Sequence, residues 1–158
     1  MISVIIDSRE QKPYSFASCE YIDDIIVRKL DTGDYSIDGM EDLLCIERKM
    51  TVSELAMCLT KSRFTRELER MTNYKYRYLL CEFDYYHIDV YPENSDIPPQ
   101  QRKKVKIKGP FIRSKLIEIT MQYGVNIILC GNHSYAEDIT ATIMKKTWER
   151  ENGKNKNT

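Results

Sequence analysis

Apolar positions along the chain follow two periods, and the alternation between them sets out a fold. "MISVIID" is a short β-branched run that ends in charge at Asp7, the pattern of a buried strand. "DDIIVRKL" reads as a second strand. "GDYSI" and "LLCIERK" follow, and the Asp-Gly of "DGMED" between them supplies turn chemistry, so the two are expected to form a hairpin. The period then changes. "TVSELAMCLTK" carries Leu55 and Leu59 at helical spacing behind Thr51 or Ser53 as N-cap. "SRFTRELERM" places Phe64, Leu68 and Met71 on one helical face. "YRYLLCEF" returns to strand. Tyr91 to Pro110, with Pro92, Pro98, Pro99 and Pro110, reads as a long irregular loop, a length usually reserved for functional segments. "FIRSKLIEITMQYG" is an amphipathic helix through Ile112, Leu116, Ile119 and Tyr123, stopped by Gly124. "VNIILC" is a strand, and "SYAEDITATIMKKTWER" a last helix capped by Ser134.

Strands first, then helix and strand in alternation, imply an α/β domain with a central mixed β-sheet flanked by helices. At 158 residues the chain suits one domain, expected over residues 1–150, with 151–158 a polar C-terminal tail. No repeat and no second domain is visible.

Composition adds less. Lys plus Arg equals Asp plus Glu at 24 each, so net charge selects no partner. Its distribution is more telling, because "QQRKKVKIKGP" gathers Arg102, Lys103, Lys104, Lys106 and Lys108 with no acid among them. Taken alone, such a run is more often a solvated loop than a nucleic-acid site. The five cysteines form no metal-binding spacing, and Cys45, Cys81 and Cys130 lie in apolar runs, as reduced core thiols do. Charge follows six residues into "MISVIIDSRE", so no secretory leader is expected, and no apolar run reaches membrane-spanning length. The 11 tyrosines and His87 read as packing and surface residues. No glycine-rich phosphate loop follows a strand, which argues against a small-molecule-binding α/β domain.

The candidate chemistry lies in the expected hairpin. Side chains alternate along a strand, so Glu47 and Lys49 point one way and Arg48 the other. Asp34, at the start of the preceding strand, falls within reach of Glu47 or Lys49 across the hairpin. Two carboxylates held close repel unless a cation lies between them, and magnesium binds one or two carboxylates, water and phosphate oxygens. An adjacent ammonium orients or deprotonates the attacking water and offsets charge on phosphorus. Seen as spacing alone, the same residues also describe an edge strand with a cross-strand ion pair, the commoner case.

Four motifs in order narrow the choice: "VIIDSRE", "TGDYSI", "LLCIERKMTVSEL" and "SRFTRELERM", continuing through "FIRSKLIEITMQYGVNIILC". Together they resemble the nuclease domain of the XPF-type structure-specific endonucleases, a branch of the restriction-endonuclease-like fold, over nearly the whole chain. The resemblance implies Asp34 and Glu47 as metal ligands, Asp7 as a further carboxylate, and Lys49 as the catalytic lysine. Arg48, Arg9 and Glu10 would support the site, and Arg63 would contact the DNA backbone. Arg102, Lys103, Lys104, Lys106 and Lys108 are the further candidates for DNA contact. The implied cofactor is Mg²⁺ or Mn²⁺, with no small-molecule cofactor. The implied partners are branched double-stranded DNA and a second copy of the chain in a homodimer, with no membrane.

The chain departs from the family pattern at Ser53, where an aspartate is usual; Glu54 is the next acid. It also lacks a helicase and a helix-hairpin-helix pair. Two readings follow. The first is a metal-dependent endodeoxyribonuclease cutting flaps, forks or junctions in repair, recombination or replication, in the cytoplasm of a bacterial or phage-infected cell. The second is a catalytically inactive DNA-binding or dimerisation subunit that retains the nuclease fold.

Overall fold

The computed structural model describes residues 1–153. Six strands form one sheet in the order β2-β1-β3-β4-β5-β6. They are β1 (Ile2–Asp7), β2 (Ile22–Arg28), β3 (Tyr35–Ile37), β4 (Leu44–Lys49), β5 (Tyr76–Cys81) and β6 (Asn126–Leu129). The sheet is mixed: β1 is parallel to β2 and antiparallel to β3, β3 is antiparallel to β4, and β4, β5 and β6 run parallel. The hairpin read from the sequence is the β3–β4 pair, in register at Tyr35 and Ile46.

Helices cover both faces. On one, α1 (Val52–Leu59), α2 (Ser62–Met71) and α5 (Gly109–Tyr123) bury Leu55, Phe64, Leu68, Ile112 and Leu116 against Cys45, Leu79 and Cys81 of the sheet. On the other, α6 (His133–Gly153) buries Ala136, Ala141 and Met144 against Val4, Ile6, Tyr35, Leu44 and Ile46. The sorting of β4 between the two cores, Cys45 to one and Leu44 and Ile46 to the other, is strand alternation made visible.

Several local readings change. The segment "YYHIDV", for which the sequence offered no element, is helix α3 (Tyr85–Val90), closed by a capping box between Asp84 and His87. The expected loop from Tyr91 to Pro110 contains a short helix, α4 (Pro99–Arg102), and its last two residues open α5 with Pro110 in the first turn. Thr51 caps α1, accepting from the Glu54 amide at 3.1 Å. For α6 the cap is Asn132, whose Oδ1 accepts from Tyr135 N at 2.8 Å, and Ser134 lies inside the helix. Helix α6 runs to Gly153, and Glu151 accepts from Tyr76 Oη at 2.8 Å and from Lys75. The first three residues of the expected tail are therefore helical, and the rest fall outside the described residues. No helix among the described residues is long and apolar enough to cross a membrane.

Candidate active site

The β3–β4 hairpin sets the first carboxylate. Gly33 has φ of +88°, and a Cβ there would meet Cys45 Sγ at 2.7 Å, so only glycine lets the chain pass this close to β4. Asp34 then bridges two strands: its amide donates to Ile46 O and its carbonyl accepts from Asp7 N, both at 2.8 Å. Its carboxylate is aimed by the Arg48 amide, which donates to Oδ2 at 2.8 Å.

Glu47 and Lys49 project from β4 toward α1 and α2, as alternation requires, and both are buried. Lys49 Nζ lies 3.3 Å from Glu47 Oε1. A cleft of about 460 Å³ opens here, lined by Asp7, Arg9, Glu10, Asp34, Glu47 and Lys49 from the sheet side. Glu54, Lys61, Arg63, Glu67 and Arg70 close it from the helical side.

The electrostatics of the cleft are strained. Burial pushes Asp34 up to about 7, with Glu10 and Glu67 adding to the rise and the Arg48 amide opposing it. Glu47 is raised well above the ordinary carboxylate range, by burial first and then by Asp34 and Glu67, whose side chain hydrogen-bonds to it. Burial works to lower Lys49, but the Glu47 carboxylate outweighs it and the ammonium is held more tightly than usual. One lysine thus faces several converging carboxylates, and the deficit of positive charge is what a divalent cation would supply. Among the described residues no three or more His, Cys, Asp or Glu are gathered closely enough to cage a metal. A metal held here would take one or two carboxylates and leave its other positions to water and phosphate.

Asp7 and Arg9 lie in the same cleft but are already engaged. Arg9 donates from Nε to Asp7 Oδ2 at 2.8 Å and from Nη2 to Oδ1 at 3.2 Å, and Leu30 N donates to Oδ1 at 2.8 Å. Burial opposes ionisation of Asp7, and these donors overcome it, so its carboxyl sits below the usual range. Glu10 reaches Arg48 Nη1 at 3.5 Å.

The Arg48 side chain leaves on the opposite face. Its Nε donates to Glu82 Oε1 at 2.8 Å, Nη1 donates to the Lys12 carbonyl, and the guanidinium stacks 4.3 Å over the Tyr14 ring. Tyr14 Oη also donates to Glu82 Oε1 at 2.8 Å, and His133 Nδ1 lies 3.1 Å from the same oxygen. Arg48 thus serves the cleft indirectly: its amide orients Asp34 while its side chain ties down the segment that follows β1.

Of the candidate DNA contacts, only Arg63 lies in the cleft. Arg102 is folded into its own loop, donating to Ile97 O at 2.9 Å and Ser95 O at 3.2 Å and pairing with Glu93. Lys103, Lys104, Lys106 and Lys108 are exposed outside the cleft, while Val105 and Ile107 between them pack on the core. Glu67 and Arg70, not singled out from the sequence, both line the cleft with Arg63. The signal was their i, i+4, i+7 spacing, one face of α2.

Residues 6–143 match the family described as the ERCC4 domain. Among solved structures, the chain is similar to XPF from Aeropyrum pernix at 16% identity and a TM-score of 0.68, covering 98% of this chain and 69% of that one. It is similar to the same protein's complex with DNA at 16% identity and a TM-score of 0.68, covering 95% and 66%. About two thirds of those chains is therefore represented here. No curated protein matches. The family match spans well over half of the chain, which belongs to the ERCC4-domain family and has the restriction-endonuclease-like fold of the XPF nuclease domain.

Proposed function

We propose that this ERCC4-domain chain is a divalent-metal-dependent endodeoxyribonuclease that hydrolyses phosphodiester bonds in flaps, forks or junctions. The observation that carries the reading is the convergence of Asp34, just before β3, and Glu47, on β4, beside Lys49 in one open cleft. Asp34 and Glu47 would hold magnesium, with manganese as substitute. When bound, such an ion supplies Lewis-acid polarisation of a phosphate oxygen and of water. Lys49 offsets negative charge as it builds on the phosphoryl oxygens. Asp7 orients Arg9 at the cleft rim. Lys61, Arg63 and Arg70 receive the DNA backbone along α2. The lysines after α4 extend that contact. In support of a homodimer, Ile117 and Met121 leave apolar surface exposed four residues apart on α5.

Ser53 favours a second reading, a DNA-binding subunit without catalysis, because its hydroxyl is committed to Asp96 at 2.6 Å and offers no charge. One assay separates the two. Flap, fork and junction DNA are incubated with the protein, with magnesium, with manganese and with EDTA. The nuclease reading expects metal-dependent cleavage that Glu47→Gln removes; binding in EDTA with no cleavage under either metal would overturn it in favour of the scaffold.

A further inference from the structure

A second cavity, of about 210 Å³, lies beyond the carboxyl ends of the parallel strands β4, β5 and β6. It adjoins the acidic cleft, since Met50 lines both. Phe83 and Tyr91, both buried, give it an aromatic wall. Asn94, Ser53 and Asp96 give it a polar edge, and the Ser53 hydroxyl fixes the Asp96 carboxylate by donating to Oδ1 at 2.6 Å.

Size and charge limit the occupant. The volume is below the roughly 300–1,000 Å³ of clefts that take drug-sized ligands, which leaves space for about one ring system. Asp96 lines the cavity beside Glu82 and Glu93, which pair with Arg48 and Arg102, and no lysine or arginine is in its lining, so nothing there attracts a phosphate. A neutral aromatic ring that donates hydrogen bonds is accepted: its face meets Phe83 and Tyr91, and its amine or ring N–H meets Asp96. The phosphate-handling groups stand next door.

We propose that this cavity receives an unpaired nucleobase of the strand whose phosphodiester lies in the cleft. The proposal rests on the DNA reading above and gives it a source of substrate choice. Extracting a base from a duplex costs unstacking and unpairing, and least when the base is already single-stranded. The cavity therefore selects DNA in which the nucleotide beside the scissile bond is unpaired, as at a fork or flap.

The test uses the full chain and a forked duplex with one abasic site moved through the unpaired nucleotides. Affinity is measured in EDTA and cleavage in magnesium. One abasic position should weaken binding about tenfold while the others stay within about twofold. Asp96→Asn and Asn94→Ala, both at exposed positions, should flatten that profile. A flat profile in the wild type, with cleavage intact, overturns the base pocket and leaves the nuclease reading standing. A position-specific penalty without cleavage supports the pocket and removes the nuclease. Absence of any DNA binding overturns both.

Discussion

On one face of β4, Arg48 buries its guanidinium among Glu82, the Lys12 carbonyl, Tyr14 and His133. On the other, one residue away in each direction, Glu47 and Lys49 bury charge in company that does not balance. The first region keeps its ionised partners paired and hydrogen-bonded, the condition under which buried charge is tolerated. The second crowds Asp34, Glu47 and Glu67 so that two carboxyls hold their protons abnormally well. Folding alone would not retain such crowding, and perturbed carboxylates in an open cleft mark a site built for a ligand. One strand thus separates a paired charge network from a crowded acidic one by its pleat.

The largest effect should come from the functional side. Asp34→Asn or Glu47→Gln should reduce metal-dependent cleavage about 1,000-fold or more, roughly 4 kcal/mol of transition-state stabilisation, with circular dichroism unchanged. On the structural side, Arg48→Met leaves Glu82 buried without its cation and should destabilise the fold by about 3–5 kcal/mol, or roughly 6–20 °C in Tm. That result would sharpen the contrast; an Arg48→Met protein as stable as wild type and merely inactive would erase it.

Asp34 also predicts a pH dependence. In the unfolded chain it ionises near 3.8, and in the folded protein only near about 7. Between these values the unfolded state has lost a proton that the folded state keeps, so metal-free protein loses stability as pH rises from about 4 to about 7. Asp34→Asn should remove the share of that fall due to Asp34, leaving the share due to Glu47, and make the variant about 1–3 kcal/mol more stable than wild type at pH 8, by urea unfolding in EDTA. The opposite sign would mean that Asp34 is stabilised as an anion without metal. Smallest of all, replacing Lys104, Lys106 and Lys108 together by alanine should cut DNA affinity several-fold and reduce the slope against log salt by up to about 3, leaving cleavage chemistry intact.

The β3–β4 hairpin was legible because it rests on local rules. Glycine before Asp34, turn chemistry after Ile37 and strict alternation through Glu47, Arg48 and Lys49 each have one structural solution. What escaped depends on long-range packing. Helix α3 is the exception, a local signal passed over, since its Asp84–His87 box lies in the sequence. Glu67 and Arg70 were not singled out because only the docking of α2 turns them, with Arg63, toward the sheet. Arg102 counted as part of a basic run until the loop folded around it, and no spacing rule foretells the carbonyls of Ile97 and Ser95. The destination of the Arg48 side chain was likewise set by residues 12, 14, 82 and 133, brought together from four segments.

Calorimetric titration of the metal-free protein with manganese at pH 7, repeated in buffers of different ionisation enthalpy, addresses the cleft most directly. Carboxylates that hold protons must release them to ligate a metal. Binding should therefore be accompanied by proton release, and both binding and release should disappear in Glu47→Gln. Binding that persists unchanged in Glu47→Gln, or a wild-type protein that takes up no manganese, would contradict the assignment of this cleft as the metal site.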